Sequence, residues 1–154
     1  TIKFVSLYPF RIQVTGRTKQ YINTFGEELI VDNADDALAY ACDETGAIVR
    51  DYTAGPVYFS EGKSGAHEWM IEFEKQPDNF DRFCILLDNK LKEVNSDYDA
   101  KRFNDLALGF PLIHQVPDGI FYSWMKERGK LGGQNKVPRL SNDRSYIEAI
   151  AKLL

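Results

Sequence analysis

The fold is decided by residues 67–74, which run HEWMIEFE. The apolar Trp, Ile and Phe of this run recur at every second position, which is the period of a β-strand with one covered face. We expect the opposite face to be partly solvated, with the carboxylates of Glu68, Glu72 and Glu74 in contact with water. Residues 48–59 have the length and composition of a neighbouring strand.

Amphipathic helices are predicted around these strands. The longest starts near Asp78 or Asn79 and continues to Val94, because its apolar residues recur at spacings of three and four. Another starts at Asp32 or Asn33, either of which can cap a helix. The pattern as a whole predicts a single α+β domain, a small mixed β-sheet with helices packed on it. The remaining predictions are strands from residue 2, over 10–14 and over 112–116, helices over 97–106 and 119–128, and a terminal helix over 141–154 capped by Ser141.

Composition argues against several classes of partner. Nineteen Lys and Arg against twenty-three Asp and Glu give a net charge of −4, so we expect no nucleic-acid partner, because phosphate binding relies on excess basic charge. No run approaches the roughly 20 apolar residues that span a bilayer, so no membrane partner is expected. The N-terminus does not resemble a signal peptide, and Cys42 and Cys84 lack a paired spacing. We therefore expect a reducing, cytoplasmic location.

Short motifs for phosphate, metal or nucleophilic chemistry are weak in this chain. Residues 61–64, EGKS, resemble the end of a phosphate-binding loop, but the strand pattern that follows favours a connector between two strands. His67 and His114 lack partners at metal-ligand spacing, so both are predicted to be ordinary strand residues and no metal site is expected. Neither cysteine has a nearby histidine to activate it.

Two glycine-containing segments remain as candidates. In residues 14–29, two glycines bracket the cations Arg17 and Lys19, which suits a connector that changes its backbone angles. In residues 132–139, Lys136 follows a glycine pair and precedes a proline, so its side chain can reach an anion from a stiff backbone. By residue type alone, both segments are compatible with ordinary surface loops.

These segments resemble a known family. Residues 16–29, GRTKQYINTFGEEL, resemble the hinge signature of the auxin-responsive-promoter family of acyl-acid amido synthetases, which are adenylate-forming enzymes. The pattern Tyr98-x-x-x-Arg102 and residues 133–139, GQNKVPR, resemble the same family in the same order. The similarity extends over essentially the whole chain, which is identified as a C-terminal domain of this family.

The resemblance implies that the chain is one part of a larger enzyme. Family members carry a large N-terminal domain with the phosphate-binding loop, the acyl pocket and most nucleotide contacts. Residues 1–154 would then be the C-terminal lid domain, beginning just before the hinge at 17–19, with the large N-terminal domain absent. We expect the isolated chain to fold and to show no adenylation activity, because the ATP pocket is missing.

The resemblance also implies the reaction. A carboxylic acid would attack the α-phosphate of ATP to give an acyl-adenylate and pyrophosphate, and the amine of an amino acid would then displace AMP to give an amide. ATP and Mg²⁺ would be bound mainly by the absent N-terminal domain. The C-terminal domain would swing between two orientations, one for each half-reaction.

The family's motifs imply roles for individual residues. Lys136 matches the mobile lysine that bridges the acyl carboxylate and the phosphate oxygens, so it is the expected catalytic residue. Arg17 and Lys19 are the expected nucleotide-binding residues, with Arg17 near the ribose. Lys19 and Thr18 also match the hinge itself.

Two further residues match the segment that faces the site in the second orientation. These are Asn23 and Gly26. Many acyl-CoA synthetases carry lysine where this chain has Asn23, so this departure favours amide over thioester chemistry.

Two functions from other classes stay open at this point. In the first, the chain is a stand-alone, non-catalytic α+β module in which Lys136 and Arg17 bind an anion or small molecule. In the second, it is a protein-interaction domain that uses Phe121, Tyr122 and Trp124. For this aromatic set, a buried helix face is the expectation.

Overall fold

A central mixed sheet with helices on both faces organises the fold. The computed structural model describes residues 2–14, 20–60, 62–105, 107–132 and 135–154. Within these ranges the strands are β1 (Ile2–Leu7), β2 (Phe10–Val14), β3 (Tyr21–Ile22), β4 (Leu29–Ile30), β5 (Ile48–Val57), β6 (Ala66–Lys75) and β7 (Leu112–Val116). The α-helices are α1 (Val31–Thr45), α2 (Phe80–Val94), α3 (Ser96–Arg102), α4 (Ile120–Glu127) and α5 (Ser145–Ala151), and a 3-10 turn covers Phe103–Asp105.

The central sheet has the strand order β5-β6-β7. Strand β6 pairs antiparallel with β5, where Trp69 faces Ala54, and parallel with β7, where Trp69 faces Ile113. A further segment pairs with the free edge of β5. There the N–H of Ala54 donates to the carbonyl of Arg139 at 2.8 Å, and the N–H of Ser141 donates to the carbonyl of Ala54 at 3.0 Å. The predicted α+β fold with a small mixed sheet is confirmed.

One face of the sheet packs on α1 and α2. Trp69, Ile71 and Phe73 are buried there, as the alternation in the sequence predicts. They pack with the apolar stripes of the two helices, which include Leu38 of α1 and Leu87 of α2. Each large side chain buried in this way contributes about 1.5–3 kcal/mol, so this cluster is a main source of stability.

The opposite face is also covered, which differs from the expectation of a partly solvated face. Helices α4 and α5 pack on it around Met70, which is 3% exposed. Glu72 is only 1% exposed, and its carboxylate accepts hydrogen bonds from the N–H groups of Gly119 at 3.0 Å and Phe121 at 3.3 Å. The first N–H groups of a helix have no partner inside it, so this carboxylate replaces water as their acceptor. Glu74 is exposed, as predicted.

The two histidines are strand residues, as predicted, and each contacts a glutamate. His114 of β7 lies 2.9 Å from Glu68, which also pairs with Arg144 at 2.7 Å. His67 of β6 is fully buried, and its Nε2 lies 2.8 Å from the carboxylate of Glu27. Burial alone would raise the pKa of Glu27, but the interaction with His67 and backbone hydrogen bonds outweigh that effect and lower the pKa.

The first two long helices begin close to their predicted positions. Helix α2 is capped by Asn79, whose side chain accepts a hydrogen bond from the N–H of Arg82 at 2.9 Å. Helix α1 begins at Val31, slightly earlier than predicted. Asn33 therefore lies inside its first turn, where its side chain accepts a hydrogen bond from the N–H of Ile30 at 3.3 Å.

The terminal helix α5 is shorter than predicted, and Ser141 is not its cap. The N–H of Ser141 pairs with the edge of β5, which holds this residue in an extended segment instead. The carboxylate of Asp143 accepts a hydrogen bond from the N–H of Ser145 at 2.8 Å and so satisfies the start of the helix. None of the helices in the described ranges is long and apolar enough to cross a membrane.

A buried ionic network holds α2 against α3. Arg102 donates hydrogen bonds to both carboxylate oxygens of Asp88, at 2.9 and 3.0 Å, and to the carbonyl of Leu108 at 2.9 Å. The hydroxyl of Tyr98 donates to the same carboxylate at 2.7 Å, and Lys92 pairs with it at 2.6 Å. The pattern Tyr98-x-x-x-Arg102 therefore serves the fold, because both of its side chains hold one buried carboxylate.

The two cysteines are free thiols. Burial raises the pKa of the Cys42 thiol and raises that of Cys84 to about 11. Because the thiolate is the nucleophilic form, neither cysteine is a ready nucleophile at neutral pH.

Candidate functional site

An open cleft of about 870 Å³ lies beside β5 and contains the expected catalytic residue, Lys136. The cleft is bordered by the start of α1, by β5, by the first turn of α4 and by residues 130–132, 135–137 and 139, so residues that are far apart in the sequence meet there. Its charged lining residues are Asp32, Arg50, Asp51, Glu72, Lys130, Lys136 and Arg139.

Lys136 stands between a loop and a firmly anchored segment. Gly132, which precedes it, has a φ of +80°, a conformation that favours glycine. Val137, which follows it, is buried in the cluster of α4 and α5, and Leu140 is buried in the cluster of α1 and α2. The Lys136 side chain is exposed and makes no ion pair with any residue that the structure describes. Its ammonium can therefore approach an anion from a fixed backbone.

Three side chains hold the segment that follows this lysine, and we call them the clamp: Asp35, Tyr52 and Arg139. Arg139 forms an ion pair with Asp35 of α1, and its guanidinium carbon lies 5.3 Å from the ring centre of Tyr52. The hydroxyl of Tyr52 donates to the Asp35 carboxylate at 2.7 Å. Burial and this carboxylate keep the pKa of Tyr52 far above its ordinary value, so the hydroxyl remains a donor. Beside the clamp, the hydroxyl of Thr53 donates to the carbonyl of Pro138 at 2.7 Å.

The charges in the cleft differ in how well they are compensated. Arg50 pairs with Asp118 at 2.7 Å. Lys130 and Lys136 are exposed, and neither forms an ion pair within the described parts of the chain. Asp51 is half-buried, and this burial raises its pKa above the ordinary value. The cleft also carries the carboxylates of Asp32 and Asp51, which form no ion pair among the described residues, so an anionic ligand would be bound at the side of Lys130 and Lys136.

The expected hinge and nucleotide-binding residues Arg17, Thr18 and Lys19 lie outside the described residues. Gln20, which follows them directly, lines the cleft together with Lys136. The structure thus places the residue next to the expected hinge in the same cleft as the expected catalytic lysine.

Asn23 and Gly26 lie in one turn and do not line the cleft. The N–H of Asn23 donates to the side chain of Asn142 at 2.8 Å, and the side chain of Asn23 accepts from the N–H of Glu28 at 3.2 Å. Gly26 has a φ of +84°, a backbone conformation that favours glycine; a Cβ there would lie 3.3 Å from the flexible end of the Lys101 side chain, which would have to shift slightly. Among the expected site residues that the structure describes, Lys136 therefore lies in the cleft, and Asn23 and Gly26 lie elsewhere.

The aromatic residues of α4 divide between core and surface. Phe121 is 3% exposed and Trp124 is 2% exposed, which confirms their expected burial. Trp124 packs edge-on against Tyr146, with ring centres 5.6 Å apart. Tyr122 differs from the expectation, because it is 61% exposed and lines the cleft. One exposed aromatic side chain does not make the aromatic docking surface that an interaction domain would need.

Sequence reasoning missed the clamp, although it included Arg139 in a motif. Asp35 lies 104 residues from Arg139 along the chain, and nothing in its helical context marks it as a partner of that residue. Tyr52 resembles any other buried aromatic residue of a strand. The only local signal for this contact is the position of Arg139, three residues after Lys136, where a charged side chain could fix the backbone that carries the lysine.

Comparisons with known proteins match this fold. A family model described as "GH3 family C-terminal domain" matches residues 32–145. Among solved structures, a chain named "GH3.15 acyl acid amido synthetase" superposes with a TM-score of 0.70 and 21% identity, covering 93% of this chain and 26% of that chain. A second chain, named "AtGH3.15 acyl acid amido synthetase in complex with 2,4-DB", superposes with a TM-score of 0.73 and 20% identity. This match covers 98% of this chain and 29% of that chain.

These solved relatives are much longer than this chain, which spans 26% and 29% of their length. At 21% and 20% identity the likeness to them concerns the fold. No match is found among curated protein sequences.

Proposed function

The chain belongs to the GH3 family as one of its C-terminal domains, and we propose on this basis that it is the mobile lid of an acyl acid amido synthetase. The whole enzyme would activate a carboxylic acid as an acyl-adenylate and join it to the amine of an amino acid, releasing pyrophosphate and AMP. A large N-terminal domain would precede residue 1, and the hinge would lie at 17–19. The observation that carries the proposal is the exposed ammonium of Lys136 on its anchored segment.

In the adenylation step, Lys136 would reduce the repulsion between two anions. The carboxylate of the acid must approach an α-phosphate that is itself negatively charged. An ammonium between them stabilises the charge that develops on the phosphate oxygens, and one well-placed donor of this kind contributes about 3–4 kcal/mol. The clamp would serve this step by fixing the backbone from which the lysine side chain extends.

The residues of the cleft fit part of an ATP site. Lys136 suits phosphate oxygens, and Arg17 would lie near the ribose. Among the residues that the structure describes, no group of three or more His, Cys, Asp or Glu side chains could hold a metal ion. By the resemblance to the family, Mg²⁺ and most of the ATP would be held by the large domain, and ATP would supply the anhydride bond that is broken in adenylation.

The amide-forming step would use another part of the domain. The turn that carries Asn23 and Gly26 is separate from the cleft that contains Lys136. A rotation about the hinge would therefore present the cleft to the reacting groups in one orientation and the turn in the other. The positive φ of Gly26 suits a turn whose backbone approaches a ligand closely.

Restricting the hinge should impair one half-reaction more than the other. Proline at position 19 fixes φ near −65° and also restricts the preceding residue, so Lys19→Pro should favour one orientation. ATP–pyrophosphate exchange measures adenylation, and transfer from a preformed acyl-adenylate to an amino acid measures amide formation. Lys19→Ala keeps the backbone freedom and is the matched control. Equal loss of both half-reactions in Lys19→Pro would count against the hinge.

Loosening the clamp should slow adenylation through Lys136. Asp35→Asn removes the charge that pairs with Arg139 and keeps an oxygen for the Tyr52 hydroxyl, so we expect adenylation to slow about tenfold. The free energy of unfolding should change by less than about 1 kcal/mol, because the ion pair is partly exposed. The neighbouring exposed Asp36→Asn is the matched control.

A double-variant cycle distinguishes this positioning role from a general structural one. If Asp35 acts through the lysine, Asp35→Asn combined with Lys136→Ala should be no slower than Lys136→Ala alone. Additive losses in the double variant would show that the clamp does not act by positioning Lys136.

The proposed function as a whole is tested by comparing the longer protein with the isolated chain. The longer protein, screened by pyrophosphate release with acids and amino acids varied independently, should show acid-dependent turnover and an amide product. The isolated 154-residue chain should fold and show no ATP–pyrophosphate exchange. Acid-dependent exchange by the isolated chain would contradict the assignment of the ATP pocket to the other domain.

A stand-alone anion-binding module is the second candidate, and the uncompensated Lys130 and Lys136 favour it. Calorimetric titration of the isolated chain with ATP and with pyrophosphate separates the two candidates. Binding at micromolar concentration that is lost in Lys136→Ala would favour the module. A lid domain should bind neither anion appreciably, because most of its nucleotide contacts would come from the large domain.

A further inference from the structure

The turn of residues 23–28, which carries Asn23 and Gly26, has a shape that its own backbone maintains poorly. Gly26 has a φ of +84° and Glu28 a φ of +40°, so both lie in the left-handed region. A residue other than glycine rarely adopts a positive φ, and such strain persists only where surrounding contacts impose it. Within the turn, the hydrogen bond from the N–H of Gly26 to the carbonyl of Asn23 is long, at 3.5 Å. The shape of the turn therefore depends on contacts from other segments.

One of these contacts is buried and fixes the middle of the turn. Glu27 is fully buried, and its carboxylate accepts a hydrogen bond from the N–H of Phe25 at 2.7 Å. The other carboxylate oxygen lies 2.8 Å from the Nε2 of His67 in β6. The Phe25 ring also fills the space above Gly65, where an added Cβ would lie 2.3 Å from it. Residues 25–27 are thus fastened to the central sheet.

Another contact fixes the start of the turn and is made by one exposed side chain, that of Asn142. Its side-chain oxygen accepts hydrogen bonds from the N–H of Asn23 at 2.8 Å and from the hydroxyl of Thr24 at 3.0 Å. Asn142 lies on the segment that follows Lys136, which the clamp and the N–H of Ser141 hold against β5. The segment that carries the lysine of the cleft therefore also holds the start of the turn.

The group that Asn142 holds in place is a hydrogen-bond donor. The side-chain oxygen of Asn23 accepts from the N–H of Glu28 at 3.2 Å, whereas its side-chain nitrogen forms no hydrogen bond with any residue that the structure describes. The Asn23 side chain is only half-buried, so this nitrogen has two N–H groups to offer a ligand oxygen. A carbonyl oxygen gains negative charge when an amine adds to an acyl group, and a donor that is already fixed stabilises this charge best.

We propose that Asn142 is a positioning residue for the amide-forming step, in which it holds the side-chain N–H groups of Asn23 near the acyl carbonyl oxygen. The inference rests on the proposed function, which assigns the turn to this step. The amine nitrogen bonds to the acyl carbon, the bond from that carbon to the phosphate oxygen breaks with its electron pair leaving on AMP, and the proton lost by the nitrogen goes to water. Because Glu27 still fastens the rest of the turn, loss of the Asn142 side chain frees only its start.

Variants of Asn142 in the longer protein test this role. Asn142→Ala should slow transfer from a preformed acyl-adenylate to an amino acid about tenfold or more, because a small displacement of a reacting group is enough to cost this much. ATP–pyrophosphate exchange should be unchanged, since the clamp still holds the segment of Lys136. Asn142→Asp keeps an acceptor oxygen for both contacts and should transfer at close to the wild-type rate. Asn89→Ala, at an exposed position of α2, is the matched control.

Hydrogen–deuterium exchange of the isolated 154-residue chain tests the contact independently of catalysis. We expect the amide of Asn23 to exchange at least about tenfold faster in Asn142→Ala than in the wild type, because it loses its acceptor. In Asn142→Asp it should stay slow. The amide of Phe25, which donates to the buried Glu27, is the internal reference and should exchange at the same rate in all three proteins.

Several outcomes would overturn the inference. Equal loss of transfer and of ATP–pyrophosphate exchange in Asn142→Ala would show that Asn142 supports the whole domain or the segment of Lys136. Transfer at the wild-type rate in Asn142→Ala, or equally slow transfer in Asn142→Asp, would show that its contacts with the turn do not matter for the step.

A variant of the turn itself separates this inference from the proposed function. Asn23→Asp keeps the acceptor for Glu28 and removes the donors. Slow transfer in Asn23→Asp together with wild-type transfer in Asn142→Ala would leave the role of the turn intact and reject only the positioning by Asn142. If the wild-type longer protein shows no acid-dependent ATP–pyrophosphate exchange, the proposed function fails and the inference falls with it, even where the Asn23 amide responds as expected.

Discussion

Lys136→Ala in the longer protein should slow acid-dependent ATP–pyrophosphate exchange about a hundredfold or more, because it removes one well-placed charge from the adenylation transition state. The free energy of unfolding should hardly change, since the side chain is exposed and has no ion pair among the described residues. The loss should appear mainly in kcat for adenylation. Transfer from a preformed acyl-adenylate should be affected much less, because the lysine would have left the site in that orientation.

Lys130→Ala is the matched control for this experiment. Lys130 is also exposed and also lines the cleft, but it precedes the glycine pair and lacks the anchoring that follows Lys136. A general electrostatic effect of the cleft would make the two variants similarly slow, whereas a specific role predicts a large loss for Lys136→Ala alone. An unchanged exchange rate in Lys136→Ala would remove this residue from its proposed role.

Asp88→Asn should destabilise the isolated chain by about 3–5 kcal/mol, which is the usual cost of removing one partner of a buried ion pair. The amide cannot compensate the Arg102 guanidinium, which is buried between α2 and α3 and donates to both oxygens of Asp88. Tyr98 and Lys92 lose the same charged acceptor. Urea unfolding followed by circular dichroism measures the change.

The destabilisation by Asp88→Asn should also depend on pH. Burial alone would raise the pKa of Asp88, but the hydrogen bonds from Arg102, Lys92 and Tyr98 outweigh burial and hold the pKa below its ordinary value. A carboxyl group whose pKa is lowered by folding stabilises the protein fully above its ordinary pKa, about 3.9, and this contribution is lost as the pH falls through the folded-state pKa. The difference between wild type and variant should therefore be constant at neutral pH and shrink in acid.

Glu93→Gln provides the comparison on the same helix. Glu93 is 68% exposed and pairs with Lys90 at 2.7 Å, so its replacement should change the free energy of unfolding by less than about 1 kcal/mol. If Asp88→Asn cost no more than Glu93→Gln, the buried network would not be the stabilising feature that its geometry indicates. A difference that grew in acid would contradict the assigned direction of the pKa shift.

Local pattern was sufficient to predict the elements that pack on one another through a regular apolar stripe. The alternation in residues 67–74 predicted the buried face of β6, and the three- and four-residue spacing predicted a helix starting near Asp78 or Asn79, where α2 begins. Both predictions succeed because the spacing of apolar residues is a property of the segment itself. A spacing of two indicates one buried face of a strand, and a spacing of three and four indicates one buried face of a helix. The motif around Lys136 likewise identified a residue that lies in the cleft beside β5.

The same pattern failed where a polar residue depends on a distant segment. Glu72 has the sequence context of a solvated strand residue, yet it accepts hydrogen bonds from the first turn of α4, 47 and 49 residues away. Serine is a residue type that commonly caps helices, yet the backbone N–H of Ser141 donates to the carbonyl of Ala54 at the edge of β5. In each case the local propensity is overridden by an unsatisfied backbone group elsewhere in the chain.

The sequence by itself therefore determined the α+β fold, the strand at its centre and the family to which the chain belongs. Only the tertiary structure decided which carboxylates are buried, that Asp35 and Tyr52 hold the segment after Lys136, and that apolar side chains of β1 and β2 are exposed. The physical reason is that periodicity specifies which face of an element is apolar, whereas the partners of charged groups and hydrogen-bonding groups are set by segments that meet only when the chain folds.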